Sequence, residues 1–134
     1  MFEDYANRIV PALSLTEVEE KRPLDETRLK QCEGRLLLEQ VPAGAVTIAL
    51  DESGSELSSV ALAGRITDWR DQGCASLCFL IGGANGHSPE VLERAQFRLS
   101  LGRMTWPHML VRVMIAEQLY RAQQIAIGHP YHRK

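Results

Sequence analysis

Apolar residues along the chain switch between two spacings, and the switches mark out the elements. Phe2, Tyr5, Ala6 and Ile9 recur at the spacing of one helix face, and Pro11 closes that segment. Leu13, Leu15 and Val18 then predict a short strand, although the alternation slips after Thr16. Helical spacing returns with Leu24, Leu29, Cys32, Leu36 and Leu37. Pro23 opens this helix, and Asp25 and Glu26 suit its first turn, where carboxylates meet the positive end of the helix dipole. Ala45 to Leu50 reads as a buried strand, closed by the turn signal Asp51-Glu52-Ser53-Gly54.

The second half repeats the alternation. Leu57 to Gln72 is helical, with Val60, Ala61, Ile66 and Trp69 on the apolar side and Gly73 as the stop. Ala75 to Ile81 is a second buried strand, and Gly82-Gly83 follows at its carboxyl end. Ser88-Pro89-Glu90 combines an N-cap, a proline in the first helical position and an acid behind it, starting a short helix to Ala95. Phe97 to Thr105 is extended or irregular. Pro107 starts a long helix to about Ile127, and Gly128 stops it before the tail His129 to Lys134. Strands alternating with helices predict one α/β domain, a mostly parallel sheet with helices on both faces. In such sheets ligands bind where strands end, so the informative loops follow Leu50, follow Ile81, and lie between Leu99 and His108.

Composition fits a soluble globular domain: 134 residues, 45% hydrophobic and 24% charged. The formal net charge of -2 argues, taken alone, against a nucleic-acid partner. That average hides an asymmetry. From Arg98 onward six basic residues accompany a single acid, Glu117, so the acidic surplus lies entirely upstream. Such segregation marks a polyanion-facing surface, and it also arises by chance on solvated faces. Three cysteines, Cys32, Cys74 and Cys78, form no CxxC pair, which predicts free thiols in a reducing, cytoplasmic setting. No basic region precedes an apolar stretch at the start, so no signal peptide is expected. The apolar stretch Met109 to Ile127 is interrupted by Arg112, Glu117 and Arg121 and is too polar to span a bilayer. It still carries more apolar residues (among them Leu110, Val113, Met114 and Leu119) than a one-sided surface helix needs, which predicts a subunit interface or additional core.

Candidate chemistry is sparse. Gly82-Gly83-Ala84-Asn85-Gly86 lets a ligand approach the backbone closely, but it lacks the spacing of a dinucleotide fold and the lysine of a P-loop. A plain turn between strand and helix has the same composition. His129 and His132 make a poor metal site without a nearby carboxylate or cysteine, so no metal is expected. Arg112 near the start of an apolar helix face needs a partner or an anionic ligand, whereas Arg121 has a local partner in Glu117 four residues before it. The tail mixes Tyr131, His132, Arg133 and Lys134, offering stacking, hydrogen bonds and charge to an unpaired base.

Four segments together resemble one family. Leu80-Ile81-Gly82-Gly83-Ala84-Asn85-Gly86, Met104-Thr105-Trp106-Pro107-His108-Met109-Leu110-Val111-Arg112, Glu117-Gln118-Leu119-Tyr120-Arg121-Ala122 and His129-Pro130-Tyr131-His132-Arg133 look like the ribosomal large-subunit methyltransferase H family, of the SPOUT class of knotted methyltransferases. The resemblance implies a trefoil knot over about residues 75–134, a homodimer formed through it, and S-adenosyl-L-methionine as cofactor. It also implies methylation of N3 of a pseudouridine in large-subunit ribosomal RNA. Carried onto matching positions, the cofactor residues are Leu50, Gly82, Gly83, Leu101, Gly102, Arg103, Met104, Thr105 and Trp106. The composite RNA and catalytic surface is His108, Arg121, Tyr131, His132 and Arg133, with the tail reaching the partner subunit's site. Methyl transfer needs an in-line nucleophile. The imide nitrogen must also lose its proton, for which His108, His132 and Arg133 are the candidates. Members of that family begin with a strand upstream of the helix that starts here at Phe2, and no counterpart of it is present. A ribosome-binding or assembly module of the same fold without turnover is the competing expectation.

Overall fold

The computed structural model describes residues 1–8, 14–74, 76–83 and 85–128. In chain order its elements are α1 (Phe2–Arg8), α2 (Glu26–Glu39), β1 (Val46–Glu56), α3 (Ser59–Asp71), β2 (Leu77–Ile81), α4 (Pro89–Arg94), β3 (Phe97–Ser100) and α5 (His108–Ala126). They gather into two compact units. A sheet unit comprises Thr16–Glu56 and Cys74–Met104, and a helical unit comprises Met1–Leu15, Leu57–Gly73 and Thr105–Lys134.

In the sheet unit three parallel strands lie in the order β2-β1-β3. Ala49, Leu80 and Val91 form the centre of its core, with Leu37, Leu38, Val41, Cys78, Leu92 and Ala95 packed around them. Helices α2 and α4 therefore lie together against β1 and β2. Burying Leu80 and Val91 contributes about 1.5–3 kcal/mol each. Asp25 caps α2 by accepting from the Arg28 amide at 2.8 Å, so the helix begins after Asp25 and Pro23 stays outside it. Gln96 ties the entry of β3 to β1: its side-chain oxygen accepts from Thr47 N, and its own amide donates to Thr47 O.

Two expectations about strands are corrected. Asp51–Gly54 is not a turn that ends the strand, because β1 runs on to Glu56. Its pairing with β3 shifts between Leu50 and Ser55 and then resumes, with Ser55 opposite Leu99 and Glu56 opposite Ser100. The turn chemistry persists inside the strand, where the Ser53 amide and hydroxyl both donate to the Asp51 carboxylate. Gly54 makes this possible. A Cβ there would lie 2.6 Å from Arg98 C and O, so only glycine lets β1 press against β3. The strand expected at Leu13 to Val18 is also not seen: residues 14–18 have no regular structure, and Leu13 lies outside the described residues. Leu15 is 45% exposed, so there is no burial to hold that segment as a strand.

The helical unit is built on α5. Ser58 caps α3 by accepting from Ala61 N at 3.0 Å, and Gly73 at φ +89 closes it. Helix α3 packs on α5, where the Ser59 hydroxyl donates to Gln118 Oε1 at 2.7 Å. Helix α1 packs on α5 through Tyr5 and Tyr120, whose rings lie 6.1 Å apart, with the Arg8 guanidinium over the Tyr120 ring. Gly128 at φ +74 follows the end of α5. Among the described residues no helix is long and apolar enough to cross a membrane.

Candidate cofactor-binding site

The sheet register brings Leu50, inside β1, beside the ends of β2 and β3. Leu50 is paired with Ile81 on one side and with Leu99 on the other. Gly82 therefore leaves β2, and Leu101 follows the end of β3, at the edge where Leu50 sits. Three peptide segments that are distant in sequence thus lie side by side. This is the arrangement in which a parallel sheet binds a ligand.

The loop after β2 is folded back on itself. Gly83 and Gly86 form an isolated antiparallel bridge, the Gly86 amide donating to Gly83 O at 3.0 Å. A Cβ on Gly82 would lie 3.0 Å from Gly86 C and 3.2 Å from His87 N, so a side chain there would force the loop open. A Cβ on Gly83 would lie 3.2 Å from Glu33 Oε1, which places a half-buried carboxylate of α2 beside the loop. His87 is 6% exposed, and its Nε2 lies 3.0 Å from Leu80 O. Ser88, 1% exposed, caps α4 and lies against Gly34. Neither Glu33 nor His87 was singled out in the sequence. His87 sits directly after the glycine motif, and that adjacency was the available signal.

The loop after β3 is held by Ser100. Its hydroxyl accepts from Gly102 N at 3.0 Å and donates to Gly102 O, pinning the turn with Gly102 at φ +107. Leu101 and Gly102 are half-buried, while Arg103 and Met104 are exposed. Leu50, Gly82, Gly83 and the segment Leu101 to Met104 all belong to the sheet unit. Thr105, Trp106, His108 and Arg121 belong to the helical unit.

A family profile described as "Predicted SPOUT methyltransferase" matches residues 1–132. The chain is 56% identical over 133 residues to a protein of Paramagnetospirillum magneticum named ribosomal RNA large subunit methyltransferase H, covering 99% of this chain and 88% of that one. A protein of the same name from Rhodospirillum centenum is 53% identical over the same shares, and one from Paracoccus denitrificans is 48% identical over 93% of this chain and 77% of its own. The chain belongs to the SPOUT methyltransferases, among the ribosomal RNA large subunit methyltransferase H proteins.

In this SPOUT methyltransferase the remaining expected residues are placed as follows. His108 is the first residue of α5 and is exposed. Arg121 is half-buried and bound by Glu117, with Nη2 at 2.8 Å and Nε at 3.0 Å from Oε2, so the local partner anticipated for it is real. Arg112, also half-buried, donates to Met109 Sδ. Tyr131, His132 and Arg133, together with His129, lie outside the described residues.

Proposed function

We propose that this chain transfers the methyl group of S-adenosyl-L-methionine to N3 of a pseudouridine in large-subunit ribosomal RNA, as a cytoplasmic homodimer. In this reading residues 1–134 form one SPOUT-type domain with a trefoil knot over about residues 75–134. The observation that carries it is the meeting of Leu50, Gly82 and Leu101 at one sheet edge, in a chain that belongs to the SPOUT methyltransferases. The names of its relatives supply the substrate class.

The residues at that edge fit such a cofactor. Glycine at positions 82 and 83 leaves backbone groups accessible to an adenine edge and ribose hydroxyls, and the Ser100-pinned turn adds those of Leu101 and Gly102. The half-buried Glu33 carboxylate adds negative charge beside a site meant for a cation. When bound, the cofactor supplies a methyl group on a sulfonium. The chain's own residues bind and orient it through Leu50, Gly82, Gly83 and Leu101 to Trp106. His108, Arg121, Tyr131, His132 and Arg133 engage the RNA; His108 or His132 takes the imide proton, or Arg133 stabilises the imide anion as the proton leaves. Dimer formation is supported by apolar side chains in the first turn of α5: Met109 and Leu110 are exposed.

Two measurements test this reading. Calorimetry should show S-adenosyl-L-methionine binding that Gly82→Val weakens at least tenfold, because the new side chain must open the loop. Mass spectrometry of ribosomal RNA from treated ribosomes should show methylated pseudouridine, lost when Tyr131 to Lys134 are deleted while cofactor binding persists. Unchanged affinity in Gly82→Val overturns the site. Ribosome binding without methyl transfer by the full chain overturns the enzyme and leaves a binding module.

A further inference from the structure

We infer that His87 is a positioning residue: by latching the glycine loop to the end of β2 it sets the loop's affinity for the cofactor. This rests on the reading that Gly82 and Gly83 face that cofactor. The chain leaves β2 at Ile81, Gly83 and Gly86 bridge each other, and the His87 ring meets the carbonyl of Leu80 at 3.0 Å. A carbonyl can only accept, so His87 Nε2 carries the hydrogen and donates. Among the described residues β2 lies at the edge of the sheet, where carbonyls facing outward have no neighbouring strand to satisfy them. The imidazole supplies a donor from the loop itself.

The latch is enclosed. His87 is 6% exposed, and the next residue, Ser88, is 1% exposed where it caps α4 and abuts Gly34 of α2. The carboxyl end of the loop is therefore fixed twice, to β2 through the ring and to α4 through the cap. Before these anchors Gly83 and Gly86 are already bridged. Glycines have the most conformational freedom to lose, so a glycine loop that binds through its backbone gains most from being held in the binding shape beforehand. Without the latch the same peptide groups remain, but binding must order them.

The test uses His87→Leu, which fills the space without a donor, and His87→Gln, whose amide nitrogen can reach Leu80 O. S-adenosyl-L-methionine affinity is measured by calorimetry, and amide hydrogen exchange is followed in the peptide carrying Gly82 to Gly86. His87→Leu should weaken binding about tenfold and speed loop exchange, while His87→Gln stays within about threefold of the parent, the scale of one buried hydrogen bond. In turnover the leucine variant should raise KM for the cofactor and leave kcat and KM for ribosomes nearly unchanged. If the leucine variant does not fold, His87→Asn, whose shorter amide falls short of Leu80, takes its place. Equal losses in the leucine and glutamine variants, or loop exchange unchanged in the leucine variant, overturn the latch. Failure of the parent chain to bind overturns the cofactor reading first, and the exchange data still decide whether His87 holds the loop.

Discussion

Gly34 and Gly64 both sit inside helices, and replacing each with alanine should move stability in opposite directions. Removing a mid-helix glycine stabilises by about 1 kcal/mol through propensity alone. At Gly64 in α3 a Cβ meets nothing within 4 Å, so that gain should appear undiminished. At Gly34 in α2 the same Cβ would lie 2.5 Å from Ser88 Oγ, 3.0 Å from Val91 Cγ2 and 3.3 Å from Ser88 Cβ. Ser88 is 1% exposed and caps α4, so its hydroxyl cannot retreat without abandoning Val91 N. Losing the cap costs about 1 kcal/mol, and forcing a methyl into a filled core costs about 1–3 kcal/mol more. Gly34→Ala should therefore end about 1–3 kcal/mol less stable than the parent, despite its better propensity. With a urea slope of about 2 kcal/mol per molar, the two variants' midpoints should differ by roughly 1–2 M when followed by far-ultraviolet circular dichroism. The penalty at Gly34 should also shrink in a Ser88→Ala background, which removes the nearest atom. A Gly34→Ala midpoint at or above the parent's would refute the packing argument, because propensity would then have won.

Two further outcomes follow from the sheet unit. Gly54→Ala places a Cβ 2.6 Å from backbone atoms of Arg98, which cannot rotate away, so β1 and β3 must separate; a loss of about 3 kcal/mol and a melting temperature lower by roughly 10 °C are expected, and a drop below about 2 °C would show that the strands yield freely. Cys78 packs against the core cluster, and burial pushes its thiol up from the ordinary value, so it holds less thiolate at any given pH; iodoacetamide at pH 8 followed by peptide mass spectrometry should find Cys78 the slowest of the three cysteines, and faster labelling than at Cys32 would contradict its burial.

How much could be read in advance follows the range of each interaction. Caps and stops act within a few residues, and the sequence alone determined them: Ser88 with Pro89 starts α4, and Gly73 and Gly128 follow the ends of α3 and α5. The buried runs that open β1 and form β2 were likewise readable, as was the glycine turn after Ile81, because apolar runs and the glycines after them are local features. The family was readable too, since its motifs are contiguous. What lay beyond reach depends on partners brought together by folding. Asp51-Glu52-Ser53-Gly54 has the chemistry of a turn, and only the backbone of β3 at Arg98 shows that it continues a strand. Leu13, Leu15 and Val18 have the composition of a strand, but Leu15 is exposed and residues 14–18 have no regular structure. The order β2-β1-β3 and its register are set by contacts such as Thr47 with Gln96, 49 residues apart, which no local spacing encodes. His87 and Glu33 belong to the candidate site for the same reason. Their side chains gain a role only once β2, α2 and the glycine loop are packed together, because a hydrogen bond or a charge acts over a few ångströms of space, whatever the distance along the chain.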